Sequence, residues 1–116
     1  MASDVQVVDQ MIEVIEGEGH WCKGTLYKDE AGNSIKDGHS IQRMSACLEG
    51  ALGLATQDED QAHRVRSGVL HNIRKSTGVA YTGMPSYNDD DATQQEDVIL
   101  ILKETRNMFE APVSGV

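Results

Sequence analysis

Two of the four histidines, together with the two cysteines, could in principle hold a metal ion. His20 and Cys22 lie two positions apart, and His39 and Cys47 would complete four ligands of the types that zinc accepts. The spacing does not match the usual zinc motifs, in which paired cysteines stand about two to four residues apart. A core position for Cys47 and a loop position for His20 explain the pattern better. We therefore predict no metal site and no cofactor.

A cysteine nucleophile activated by histidine is the second chemistry to weigh. Cys22 or Cys47 would pair with His39 or His63. A reactive cysteine needs an electropositive, partly open setting that stabilises its thiolate. Cys47 instead lies in an apolar stripe, where burial would raise the pKa of its thiol. The sequence therefore predicts no catalytic residue and argues against an enzyme without excluding one.

Aromatic rings and acids in the second half of the chain favour contact with a partner. Rings are scarce, at 4% of the residues, so a ring that reaches the surface would be a candidate hot spot for binding. The run Asp89 to Asp91 lacks the D-x-D-x-D-G pattern of a calcium loop and suits the start of a helix. An alternative role for Trp21 is to cover the small core. The predicted interaction residues are Trp21, Tyr81, Tyr87, Asp89, Asp90 and Asp91.

The charge of the chain restricts its partners. Nineteen acidic and ten basic residues give a formal charge of −9. Both ends are acidic and only residues 58–77 are slightly basic, whereas binding to a phosphate backbone depends on clustered lysine and arginine. We therefore expect no direct contact with nucleic acid. A protein partner, or a second copy in a homodimer, remains open.

Length and hydropathy predict one domain over residues 1–116, with a frayed tail from about residue 111. The longest apolar run, Val98 to Leu102, is far shorter than the roughly 20 residues that cross a bilayer. The first residues have neither the basic region nor the apolar run of a signal peptide. We expect no membrane contact, a cytoplasmic location and reduced cysteines.

Periodicity predicts a mainly α fold of about four helices. Apolar residues recur at helical spacing over about 4–17, 40–55, 59–76 and 93–109. Alternation near residues 21–35 suggests a short β-hairpin, and residues 79–88 read as a loop. Ser3 is the predicted cap of the first helix, and Thr93 with Glu96 matches a capping box for the last. Glycines in the second helix, at 50 and 53, predict that its backbone lies close to a neighbouring element.

Three sequence blocks resemble a known family. They are Trp21-Cys-Lys-Gly-Thr-Leu-Tyr27 before a D-x-x-G turn, Cys47-Leu-Glu-Gly-Ala-Leu52, and Tyr87-Asn-Asp89 leading into Gln95-Glu-Asp-Val-Ile-Leu-Ile-Leu102. Together they resemble a small family of unknown function from actinobacteria and their phages. Tyr87, where the family usually carries tryptophan or another aromatic residue, is a mild departure, and aspartates replace its Pro-Gly turn. The resemblance implies a helical domain and a phage or actinobacterial source, and it assigns no activity.

Two functional hypotheses remain. The first is a small acidic interaction module, phage-encoded and acting on a host partner, or assembling with itself. The second is a small-molecule-binding or catalytic domain with a pocket between residues 21–27 and 81–89, because loops rich in aromatic and polar residues beside a helical scaffold often carry binding chemistry.

Overall fold

A computed structural model describes residues 2–110 and contains, within them, five helices and a three-stranded antiparallel sheet. The elements in chain order are α1 (Asp4–Ile15), β1 (Tyr27–Asp29), β2 (Ser34–Ile35), β3 (Arg43–Ala46), α2 (Leu48–Ala55), α3 (Glu59–Thr77), α4 (Met84–Asn88) and α5 (Gln95–Glu110). The mainly α class is confirmed, whereas four helices and a hairpin describe it only roughly. The predicted frayed tail lies outside the described residues.

The helices enclose one hydrophobic core. α1 lies against α5 and α2, and α3 packs antiparallel to α5, so that every helix contributes to the same apolar interior. Its largest fully buried side chains are Met11, Ile15, Leu48, Leu52, Ile73, Met84 and Leu102. Among the described residues, no helix combines the length and apolar character needed to cross a bilayer.

Local signals set the ends of the two helices that were predicted best. The Ser3 hydroxyl accepts a hydrogen bond from the Gln6 amide at 3.1 Å, and the Gln6 side chain accepts one from the Ser3 amide. This capping box starts α1 where it was predicted. α3 begins after Asp58, whose carboxylate accepts hydrogen bonds from the amides of Asp60 and Gln61, and it ends at Gly78 in the left-handed conformation.

The prediction of a helix over about 40–55 is wrong in its first half. Residues 43–46 form β3, which pairs with β1 through Lys28 and Ser45 and makes the sheet order β2-β1-β3. α2 begins only at Leu48. Its N-cap is Cys47, whose sulfur accepts a hydrogen bond from the Gly50 amide at 3.3 Å. The apolar residues before Cys47 only mimic a helical stripe, because Ile41 is fully exposed at 102%.

Two further expectations near the C-terminal half are corrected. Residues 84–88 form the short helix α4 inside the segment that was predicted to be a loop, with Pro85 in its first turn, a position that tolerates proline.

The predicted cap of α5 is the second of these corrections, because none of the described hydrogen bonds joins the Thr93 side chain to the first turn of α5. The Asp97 carboxylate instead accepts from the Gln94 amide at 2.8 Å. α5 therefore starts one residue later than the capping-box pattern indicated.

Candidate functional site

Asn88, at the end of α4, joins two segments that lie far apart in the chain. Its Oδ1 accepts hydrogen bonds from Trp21 Nε1 at 2.7 Å and from the Leu48 amide at 3.1 Å. Its Nδ2 donates to the Cys22 carbonyl at 2.9 Å and to Asp89 Oδ1 at 3.0 Å. Asn88 is completely buried, and all four bonding positions of its amide are occupied. We call this set of contacts the Asn88 junction.

Neighbouring residues extend the junction to the protein surface. The Gly24 amide donates to Asp89 Oδ1 at 2.9 Å, and Lys23 Nζ donates to the Asp90 carbonyl at 2.6 Å. Residues 21–24 and 88–90 are therefore in direct contact. Two cavities lie beside this contact. One is lined by Tyr81 and Asp90, and the other is lined by Trp21 and Lys23.

The cavity toward Tyr81 is a groove between the end of α3, the segment before α4 and the first turns of α5. Its volume is about 380 Å³. We call it the tyrosine groove. Its lining residues are Ser76, Thr77, Val79, Tyr81, Tyr87, Asp90, Ala92, Thr93, Asp97, Leu100 and Ile101. Three of the six predicted interaction residues, the two tyrosines and Asp90, thus lie together.

The two tyrosines of the groove differ in exposure. Their ring centroids are 5.4 Å apart and the ring planes meet at 73°, an edge-to-face contact. Tyr87 is buried, whereas Tyr81 is partly exposed and donates its hydroxyl hydrogen bond to Asp90 Oδ2 at 2.9 Å. Tyr81 is therefore the aromatic side chain of this pair that a partner can reach.

The field in the groove is negative. Burial, followed by the charge of Asp97 and smaller contributions that include Asp90, raises the pKa of Tyr87 to about 12. A hydrogen bond from the Ala92 amide, followed by that from Tyr81, lowers the pKa of Asp90, so its carboxylate stays charged at neutral pH. A hydroxyl proton held on Tyr87 and an ionised Asp90 leave the groove with net negative charge.

The first residue of α5 contacts the end of α1. Gln95, at the start of α5, donates through Nε2 to the Ile15 carbonyl at 2.8 Å and to the Gly17 carbonyl at 2.7 Å. This contact brings the C-terminal end of α1, with Glu16, next to the acidic first turn of α5. Two segments that are separated by most of the sequence are therefore in direct contact.

The cavity toward Trp21 lies against the sheet and has a volume of about 410 Å³. We call it the tryptophan hollow. Its lining residues are Gly19, Trp21, Cys22, Lys23, Lys28, Asp29, Glu30, Gly32, Met44 and Ser45. Trp21, also a predicted interaction residue, therefore has two roles. Its ring nitrogen donates a hydrogen bond to Asn88, and the residue lines a cavity separate from the tyrosine groove.

Neither cysteine occupies a setting that activates a thiol. Cys22 and Cys47 are both free and buried, and burial is the main reason that the pKa of each thiol is raised. His39 and His63 are exposed. Within residues 2–110, no three side chains of His, Cys, Asp or Glu come together in a cluster that would hold a metal ion.

The predicted interaction residues Tyr81, Tyr87 and Asp90 line the tyrosine groove, whereas Asn88 and Leu100 were not among the predicted residues. Asn88 stood inside a recognised block, yet it received no role, because no local pattern distinguishes a buried asparagine from one in a turn. Leu100 did leave a signal. It is apolar but lies off the inward stripe of α5, and such a residue is a candidate for contact outside the core.

Comparison with known proteins gives one match. A family model described as a family of unknown function (DUF6197) matches residues 1–108. No curated protein and no solved structure matches the chain. The comparison thus covers almost all described residues and attaches no activity to any of them.

Proposed function

The chain belongs to the DUF6197 family, and from this premise we propose that it is a protein-interaction module whose tyrosine groove binds a basic, partly apolar segment of another protein. One observation carries the proposal: exposed apolar side chains lie in a groove beside carboxylates. This combination suits a segment in which lysine or arginine alternates with aliphatic or aromatic residues.

The apolar part of the argument rests on two side chains. Val79 is 48% exposed and Leu100 is 55% exposed, and both line the groove together with the partly exposed Tyr81. Single exposed apolar residues are common, but apolar residues grouped in one concave surface are typical of contact sites. Covering this surface would remove apolar area from water and supply the main free energy of association.

The electrostatic part of the argument restricts the partner. Asp90 and Asp97 line the groove, and none of its lining residues, all within the described chain, is a lysine or arginine. A basic segment would be attracted to this surface, and an acidic segment would be repelled.

The net charge also argues for a partner other than a second copy. Two chains of formal charge −9 repel each other at long range, whereas a basic protein is attracted. If the chain is encoded by a phage and acts in the cytoplasm, a basic protein of the host would be such a partner. Its encounter rate would fall as salt is added, because salt screens the attraction between surface charges.

Selection from a library of random 12-residue peptides displayed on phage, with the immobilised protein as bait, tests the proposal. We expect the selected peptides to combine lysine or arginine with apolar residues. Leu100→Asp should weaken their binding at least about tenfold, because it places a charge in the apolar groove. Titration of synthetic peptides by calorimetry measures the dissociation constants.

Ile41→Asp is the matched control, because Ile41 is the most exposed large apolar side chain described and does not line the groove. It should leave peptide binding unchanged. Equal binding by the Leu100→Asp and Ile41→Asp variants, or selection of acidic peptides, would contradict the proposal. A dimer in light scattering that Leu100→Asp dissociates would assign the groove to a second copy instead.

A further inference from the structure

We infer that the tryptophan hollow is a binding site for a small organic anion, one carboxylate or phosphate group attached to a flat apolar body. The site is separate from the tyrosine groove and shares no lining residue with it. Its volume of about 410 Å³ falls within the range of roughly 300–1,000 Å³ that is usual for small-molecule sites.

Lys28 supplies the charge that would hold the anion. It lies in the middle strand of the sheet, where its cross-strand neighbours are Ser34 on one side and Ser45 on the other. Residues directly opposite each other in antiparallel strands share one face of the sheet. The Lys28 side chain therefore shares a face of the sheet with two residues that carry hydroxyl groups. No carboxylate within the described chain forms a salt bridge with it.

Ser45 is a buried polar residue at the wall of the hollow. It is only 4% exposed although it lines the cavity together with Lys28. Its hydroxyl faces the Cys22 thiol, which is a weak hydrogen-bonding partner. The hydroxyl can therefore donate to an anion that enters beside Lys28.

The apolar body of the ligand would lie along Trp21. The indole is fixed by its hydrogen bond to Asn88, and Lys23 Nζ lies 5.4 Å from the centre of its ring. Lys23 Nζ donates to the Asp90 carbonyl, and its charge acts on the Asp90 carboxylate, but it forms no salt bridge among the described residues. A flat ring beside the indole would thus bring its anionic group into a cavity that both Lys23 and Lys28 line.

Two carboxylates at the hollow set an upper limit on the charge of the ligand. Asp29 and Glu30 also line the cavity, and Asp29 Oδ1 accepts a hydrogen bond from the Asn33 amide at 2.9 Å in the turn after β1. These acids repel a polyanion more strongly than a single anionic group. The hollow therefore favours a monocarboxylate or monophosphate ester over a nucleic acid.

Titration with benzoate, read by the fluorescence of the only tryptophan, tests the inference directly. Benzoate should give a saturable change, and the neutral isostere benzamide should bind at least tenfold more weakly. Phenyl phosphate in a parallel titration distinguishes phosphate from carboxylate as the preferred group. The absence of a saturable change with either anion, or equal binding of benzamide, would overturn the inference.

Variants of Lys28 locate the binding. Lys28→Gln should weaken benzoate binding at least tenfold, and Lys28→Arg should keep most of it, which also shows that the strand tolerates substitution. Lys36→Gln is the matched control, because Lys36 is exposed and does not line the hollow. Unchanged binding by Lys28→Gln, or equal loss in Lys36→Gln, would overturn the assignment. Leu100→Asp should bind benzoate normally, so the outcome does not depend on that of the peptide selection.

Discussion

Asn88→Ala is expected to lower the free energy of unfolding by about 3–4 kcal/mol. The substitution removes the acceptor for Trp21 Nε1 and the Leu48 amide and the donor to the Cys22 carbonyl. Each buried polar group that loses its partner costs about 1–3 kcal/mol, and the part-buried indole can recover some of that from water. The expected loss of unfolding free energy is therefore several times larger than the effect of an ordinary surface substitution.

Urea denaturation followed by Trp21 fluorescence and by far-ultraviolet circular dichroism measures this loss. Asn107→Ala is the control, since Asn107 is an exposed asparagine of α5, and its replacement should change the free energy by less than about 0.5 kcal/mol. Asn88→Asp keeps the acceptor and replaces the donor by an oxygen that faces the Cys22 carbonyl and Asp89 Oδ1, so its loss reports the missing donor together with this repulsion. If Asn88→Ala and Asn107→Ala unfold at the same urea concentration, the Asn88 junction does not make the expected contribution to stability.

Gly50→Ala is expected to lower the free energy of unfolding by about 2–3 kcal/mol, although alanine favours helix formation. A β-carbon at this position would lie 2.5 Å from the Leu26 carbonyl oxygen and 2.9 Å from Tyr27 Cε1. The carbonyl cannot easily move away, because it accepts a hydrogen bond from the Cys47 amide at 3.0 Å. β1, the chain before it and α2 would therefore have to separate.

Gly53→Ala, three residues later in α2, is the control for Gly50→Ala. Gly53 is exposed, and a β-carbon there would meet only the Tyr27 hydroxyl, at an ordinary 3.4 Å. Gly53→Ala should therefore stabilise the protein by up to about 1 kcal/mol through helix propensity. Thermal unfolding of both variants checks the pair, and a Gly50→Ala protein as stable as Gly53→Ala would show that the two glycines are equivalent.

The parts of the fold that depend on neighbouring residues were predictable from the sequence. α1 and α3 start at Ser3 and Asp58 because a side-chain oxygen next to free amides caps a helix whatever the rest of the chain does. A close approach of α2 was predicted from Gly50 and Gly53, since glycine inside a helix costs stability unless packing requires it, and of these two positions only Gly50 shows it. The sequence could not give the partner of that approach, which is the carbonyl of Leu26.

The parts that depend on distant residues were not predictable in the same way. β3 forms because Arg43 to Ala46 find a partner strand in β1, and that pairing overrides an apolar spacing that mimics a helix. Asn88 draws its importance from Trp21 and Leu48, which are separated from it by 67 and 40 positions. The candidate site was thus predicted by residue type, through its tyrosines and aspartates, and its geometry only became apparent in the folded chain.

The contact between Gln95 and the end of α1 bears on the order of folding. The carbonyls of Ile15 and Gly17 receive their hydrogen bonds from a residue about 80 positions later in the chain, and α1 packs against α5 over much of its length. During synthesis α1 is therefore made before α5 and remains without this neighbour until α5 has been made. A pairing of such long sequence separation slows folding. Until then the part of the apolar face of α1 that α5 covers in the folded chain is open to chaperones.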